Sequence, residues 1–117
     1  MLRDGSVGPY PLEDGLYIPL RHDLFDEDAI VLSGMAPGLR LESTKGRRSI
    51  HVIYPQMDYL GIWHMPHGDA PYICIEPWSS LPGREGRLEE LEKQPDLIAL
   101  EGGGRYENSW CIALEEK

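Results

Sequence analysis

Residues 72–82 read YICIEPWSSLP, which is the most strand-like stretch of the chain. Apolar and aromatic residues fill its first half until Glu76, which has no polar lead-in and is followed by a proline and Trp78. Because side chains alternate along a strand, Glu76 and Trp78 share one face while Ile73 and Ile75 share the other. An unpaired buried charge is costly, so a carboxylate here is either paired in the structure or placed to move protons.

The rest of the chain is also β-rich. Its 13 glycines and 10 prolines separate short apolar runs, a pattern typical of short strands joined by turns. The runs are GLYIPL (15–20), AIVL (29–32), RSIHVIYP (48–55), YLGIW (59–63), YICIE (72–76), LIAL (97–100) and SWCIAL (109–114), the last two joined by a glycine turn at 102–104. Only EGRLEELEKQ (85–94) has helical spacing. The sequence therefore predicts an all-β chain of mostly antiparallel strands with one short surface helix.

Length and composition restrict the classes of protein that this chain can represent. A chain of 117 residues holds at most one domain with one modest core. Its few strands and single short helix leave part of a sheet uncovered, so we expect residues 1–117 to form one partial domain whose remaining strands come from elsewhere. A net charge of −9 argues against a nucleic-acid partner.

No apolar run is long enough to span a membrane, and the start does not resemble a signal peptide, so we expect a cytoplasmic protein without a membrane partner. Cys74 and Cys111 lie among apolar residues and form no CxxC pair. We therefore expect both to be buried, reduced thiols.

The histidines give little indication of a metal site. WHMPHGD (63–69) contains His64, His67 and Asp69, but a zinc site needs three or four ligands in a defined geometry, and a proline separates these histidines. We expect a loop there, no metal and no cofactor. His22 and His51 are expected on the surface.

Two interpretations of Glu76 remain open from the residues alone. In the first, aromatic neighbours create the dry setting that suits a general base, and Trp63 and Trp78 offer flat surfaces for a sugar ring. In the second, Glu76 forms a structural ion pair with Arg47 or Arg84.

The acidic run HDLFDEDAIVL (22–32) is typical of a solvated turn. Asp28 is the exception, because it precedes an apolar strand directly. We expect it to point into the same cavity as Glu76 and to accept hydrogen bonds from hydroxyl groups.

Four motifs together resemble the C-terminal part of the aldose 1-epimerase (galactose mutarotase-like) family, and its bacterial lactose-operon-associated branch most closely. They are LFDEDAIVL (24–32), YLGIWHMP (59–66), APYICIEPWSSLP (70–82) and DLIALEGGGRYENSWCIAL (96–114). The resemblance implies part of a large β-sandwich, the supersandwich, with a cleft for a free aldose. It also implies interconversion of the α and β anomers, in which a glutamate takes the C1 hydroxyl proton and a histidine protonates the ring oxygen. By motif match the base is Glu76, Asp28 contacts sugar hydroxyls, and Trp63 lines the pocket with Trp78 nearby.

The chain departs from the family pattern in one respect. The family's acid histidine lies in an N-terminal Gly-His-Pro motif, and no histidine of this sequence lies in such a motif. Loss of a general acid typically costs about 10²–10⁴-fold in rate. Three alternatives follow: one part of a longer mutarotase-like enzyme, a sugar-binding homodimer without catalysis, or a protein that binds a phosphorylated sugar through Arg47, Arg48 or Arg84.

Overall fold

The protein is described here by a computed structural model covering residues 2–3 and 5–117. Six strands carry the fold: β1 (Ile30–Ser33), β2 (Gly38–Glu42), β3 (Arg48–Ile53), β4 (Tyr59–Trp63), β5 (Cys74–Trp78) and β6 (Cys111–Glu116). Two 3-10 turns, His22–Phe25 and Leu91–Lys93, are the helical elements among the described residues. The expected β-rich fold with little helix is confirmed.

The strands form two three-stranded sheets, and every strand pair is antiparallel. The first sheet has the order β1-β4-β5 and the second β2-β3-β6. In the first sheet Gly61 lies opposite Glu76 and Leu60 opposite Pro77. In the second, Val52 lies opposite Ile112.

One hydrophobic core takes side chains from both sheets. Leu32, Leu60 and Ile62 come from the first sheet, and Val52 comes from β3. Tyr54, which follows β3, and Phe25, in the first 3-10 turn, complete the buried set. Each fully buried side chain of this size stabilises the fold by about 1.5–3 kcal/mol, so these few residues hold the two sheets together.

The core ends at β3, although the apolar pattern continues into β6. Ile112 and Leu114 lie opposite Val52 and Ile50 in the antiparallel register, so they point to the core side of the sheet. Both are nevertheless exposed, as is Trp110, at 53%, 78% and 62% of their surface. We call Trp110, Ile112 and Leu114 the apolar stripe.

The predicted helix at 85–94 is wrong in extent. The structure has a single 3-10 turn at Leu91–Lys93, and Leu88 and Leu91 are exposed. A short helix is marginal in water unless its apolar face packs against the fold, and these leucines pack against no core.

Two strand predictions also need correction, and one strand was missed. Residues 15–20 form no strand, and a single bridge joins Glu13 to Tyr17. Residues 97–100 form no strand either, and Ile98 and Leu100 are exposed. Strand β2 was not predicted from the sequence.

Both cysteines are free thiols. Cys74 is half-buried, but Cys111 is exposed, so its predicted burial is wrong. Along β6 it precedes Ile112 and so lies on the face of the sheet that points away from the core. Among the described residues, no helix has the length and apolar character needed to cross a membrane.

Candidate functional site

The predicted site residues of β4 and β5 share one face of the first sheet. The antiparallel register places Trp63 opposite Cys74, Gly61 opposite Glu76 and Tyr59 opposite Trp78. Since side chains alternate, all six lie on the face opposite the buried Leu60 and Ile62. We call this surface of Tyr59, Gly61, Trp63, Cys74, Glu76 and Trp78 the site face.

A glycine decides where Trp78 lies on this face. A Cβ atom placed on Gly61 would be 2.7 Å from Cζ2 and 3.0 Å from Cη2 of Trp78. The six-membered part of the indole therefore lies over the backbone of Gly61, in the space that any other residue would fill. Glycine in the middle of a strand is unfavourable by about 0.5–1 kcal/mol relative to alanine and often marks such a close approach. Because Gly61 is opposite Glu76, the ring lies beside that carboxylate position.

Trp78 also lines a groove with a volume of about 740 Å³, a size typical of small-molecule sites. Tyr59 and Asp28 line the same groove, and Asp28 Oδ1 accepts a hydrogen bond of 2.7 Å from the Ala29 amide. The remaining lining residues include Glu27, Ala29, Ile30, Val31, Leu32, Ser33, Leu81 and Pro82 and the segment that comprises residues 2–3 and 6–10. We call the concave surface formed by all these residues the groove.

Among the described residues, two backbone hydrogen bonds attach the groove wall made by the N-terminal segment. The Leu2 amide donates to the Gly83 carbonyl at 3.0 Å, and the Glu85 amide donates to the Leu2 carbonyl at 2.9 Å. We call this pair of bonds the clasp.

Glu76 is half-buried and, within the described residues, has no hydrogen-bond or ion-pair partner. Of the two arginines considered for an ion pair, Arg47 donates through Nε to the Lys117 carbonyl, and Arg84 lines a separate cavity of about 300 Å³. The structural ion pair is therefore absent here. Glu76 lies two residues before Trp78 on the same face of β5. Neither Glu76 nor Trp63 lines the groove.

Three rings surround that of His64, which follows β4 directly. Its ring centroid is 5.3 Å from that of Phe25, 5.6 Å from His22 and 5.7 Å from Tyr72. His64 is 4% exposed; Nδ1 is 2.6 Å from the Met65 carbonyl, and Nε2 is buried without a partner among the described residues. The predicted loop interpretation missed this packed position, because a histidine between an aromatic residue and Met-Pro gives no sequence signal of burial.

The structure does not bring the histidine motif together as a metal site. His67 pairs with Asp26, with its amide 2.8 Å from Oδ1 and its Nδ1 3.4 Å from Oδ2. Among the described residues no group of three or more His, Cys, Asp or Glu side chains is arranged to hold a metal ion.

Sequence reasoning also missed Tyr59, Tyr10 and Glu27 as groove residues. Tyr59 carried a usable signal, because it shares the alternation of Trp63 along β4. Tyr10 and Glu27 come from segments without a repeating pattern, so the residues alone gave no indication of their position.

Comparison with known proteins gives a weak similarity to two curated relatives. The chain is 29% identical over 92 residues to Protein LacX, plasmid, and to Protein LacX, chromosomal, both from Lactococcus lactis subsp. lactis. Each match covers 76% of this chain but 30% of the relative, so the chain spans about a third of the length of these proteins. No protein-family model matches the chain. No solved structure matches it either.

Proposed function

We propose that this chain binds a free, unphosphorylated aldose across the groove and the site face, as part of a galactose mutarotase-like sandwich. The observation that carries the proposal is the position of Trp78, which lies over Gly61 beside Glu76 and lines the same groove as Asp28. An aromatic face packs against the C–H face of a pyranose, and a carboxylate accepts hydrogen bonds from its hydroxyls. The similarity to the LacX proteins and the motif resemblance both direct the proposal to a carbohydrate.

The charge of the groove supports a ligand without phosphate. In the described part of the chain its charged lining residues are Glu27, Asp28 and Arg3, so carboxylates outnumber cations among them. Arg47 and Arg48 belong to the start of β3 and the turn before it, and Arg84 lines the other cavity. A phosphorylated sugar would therefore meet repulsion in the groove without a cation cluster to hold it.

In the proposed reaction Glu76 is the general base. Its carboxylate takes the proton of the C1 hydroxyl while the bond between C1 and the ring oxygen breaks, and the bonding electron pair goes to the ring oxygen. That oxygen takes a proton from water, and the open aldehyde rotates about C1–C2. On closure the hydroxyl oxygen attacks C1 and returns its proton to the hydroxide left from that water, while Glu76 returns its proton to the C1 oxygen, which gives the other anomer.

Binding without catalysis is the second candidate, and one observation favours it. Among the described residues that line the groove there is no histidine. Without a positioned acid, ring opening is expected to be slower by about 10²–10⁴-fold.

Polarimetry of freshly dissolved α-D-glucose and α-D-galactose tests the reaction. We expect the parent chain to accelerate mutarotation and Glu76→Gln to abolish the acceleration. The matched control is Glu101→Gln, a change at an exposed glutamate outside the groove, which should retain the parent rate. Circular dichroism must show all three proteins folded.

Calorimetric titration of the same sugars separates the two candidates. Binding that Trp78→Leu and Asp28→Asn weaken, without any acceleration by the parent, would leave the binding function and remove the enzymatic one. No binding of either sugar by a folded parent would contradict the proposal for these sugars.

A further inference from the structure

Strand β6 differs from the other sheet edges of this fold. Unpaired N–H and C=O groups on an edge strand invite another chain to pair, and proteins block them with short strands, charges or proline. The edge strand β5 contains Pro77, β1 has four residues, and β2 alternates leucines with Arg40 and Glu42. Strand β6 is six residues long and has no proline and no charged residue along Cys111–Leu114. Its charges are confined to its last two residues.

The uncovered surface of β6 is continuous with the core. The apolar stripe of Trp110, Ile112 and Leu114 follows the buried Val52 and half-buried Ile50 across the register. Within the described residues, no strand pairs with β6 on the side away from β3. An exposed apolar surface beside a free strand edge is typical of a protein–protein contact.

We propose that a second copy of this chain pairs with β6 in antiparallel orientation about a twofold axis at Ala113. In this register Ile112 lies beside Leu114 of the second copy, and Leu114 beside its Ile112. The β2-β3-β6 sheet of one copy and that of the other become one sheet of six strands. The apolar stripes of both copies then lie side by side on one face of that sheet. Such an isologous contact needs no surface other than the one that is exposed.

The charges of β6 favour this arrangement over a parallel one. With the axis at Ala113, Glu115 faces Cys111 of the second copy and Glu116 faces Trp110, so no like charges are opposed. The two Glu115 residues are then four residues apart along the strands, about 14 Å, which exceeds the screening length of about 8 Å at physiological salt. Parallel pairing in register would stack each glutamate on its counterpart. The net charge of −9 on each chain repels at long range, so salt should strengthen the dimer.

Sedimentation equilibrium over a wide concentration range tests the contact, and it needs no sugar. We expect a reversible dimer of twice 13.2 kDa, stronger at 300 mM than at 30 mM NaCl. Leu114→Arg should weaken dimerisation by about tenfold or more, because it places a charge in the stripe. Leu88→Arg is the matched control, since this leucine is fully exposed outside the stripe, and it should leave the dimer unchanged.

A cysteine cross-link tests the register. In a background with Cys74→Ser and Cys111→Ser, Ala113→Cys should form a disulfide-linked dimer under mild oxidation, since residues opposed across antiparallel strands are within disulfide reach. Ser43→Cys, in the exposed turn between β2 and β3, should not. A folded parent that stays monomeric, a dimer indifferent to Leu114→Arg, or failure of the Ala113→Cys link would each overturn the proposal. It would also be overturned if the chain is monomeric and Leu114→Arg blocks its binding to a separate polypeptide comprising the part of Lactococcus LacX outside the match.

Discussion

Gly61 and Trp78 show how one absent side chain shapes the candidate site. The indole occupies the space above Gly61 and so extends from the Glu76 position to the groove. The tryptophan is a candidate from the sequence alone, because it shares the alternation of Glu76. Its contact with Gly61 could not be predicted, because that contact depends on the register of β4 against β5 and on the direction of the ring.

Gly61→Ala is predicted to displace Trp78. A methyl group 2.7 Å from a ring carbon forces the indole to move, at a cost of about 1–3 kcal/mol in the free energy of unfolding. We expect a changed emission spectrum of Trp78, read in a background with Trp63→Phe and Trp110→Phe. If the chain binds sugar as proposed, we also expect about tenfold weaker affinity.

Trp78→Phe provides the control for this contact. Phenylalanine lacks the distal indole atoms that the methyl group would meet, so Gly61→Ala should cost less in the Trp78→Phe background than alone. Equal costs in the two backgrounds would contradict the proposed steric contact.

Tyr54 predicts how stability depends on alkaline pH. Burial raises the pKa of the Tyr54 phenol above its ordinary value of 10.0, and its hydroxyl has no hydrogen-bond partner in the described part of the chain. The folded protein therefore holds this proton more tightly than the unfolded chain does. The stability from the protonated phenol is complete below pH 10 and is lost as the pH rises through the higher folded value.

Tyr54→Phe should remove this loss. We expect urea unfolding of the variant to show a free energy equal to the parent's or about 1 kcal/mol higher at pH 7, since an unpaired buried hydroxyl disappears. Between pH 9.5 and pH 11 the parent should lose more stability than the variant. Parallel losses in both proteins would show that Tyr54 is not responsible.

At the scale of elements, the alternation of apolar and polar residues predicted the position of a strand where one face of that strand is buried. The predicted runs at 29–32, 48–55 and 59–63 contain β1, β3 and β4 within a residue or two. β2 was missed because it begins at Gly38, the last residue of a turn-like Ala-Pro-Gly. The run at 97–100 was apolar enough for a strand, but no neighbouring strand pairs with it among the described residues, so local propensity alone did not decide its structure.

Leucines of equal chemistry should differ greatly in their contribution to stability. Leu60, in the central strand β4, is 2% exposed, whereas Leu88 is fully exposed. We predict that Leu60→Ala lowers the free energy of unfolding by about 2–5 kcal/mol and that Leu88→Ala changes it by less than about 0.5 kcal/mol. Urea unfolding measures both. A large loss for Leu88→Ala would support the predicted helix at 85–94 instead.

For the whole molecule, the sequence predicts one partial domain, and that expectation stays a prediction. The structure shows that the apolar stripe on β6 is uncovered. The apolar run SWCIAL was visible in the sequence. Its exposure was not, because burial depends on what lies across the sheet and not on the run itself. The position of the groove could not be predicted either, because one of its walls comes from an N-terminal segment whose sequence has no periodic pattern.

The clasp bears on how fast a ligand can enter or leave the groove as well as on the shape of the groove. Two backbone hydrogen bonds between Leu2 and residues 83–85 open far more often than a whole domain unfolds. Opening of the clasp would release the groove wall formed by the N-terminal segment while both sheets stay intact. The rates at which a ligand enters and leaves would then depend on the clasp, and its contacts once bound on the Trp78 surface.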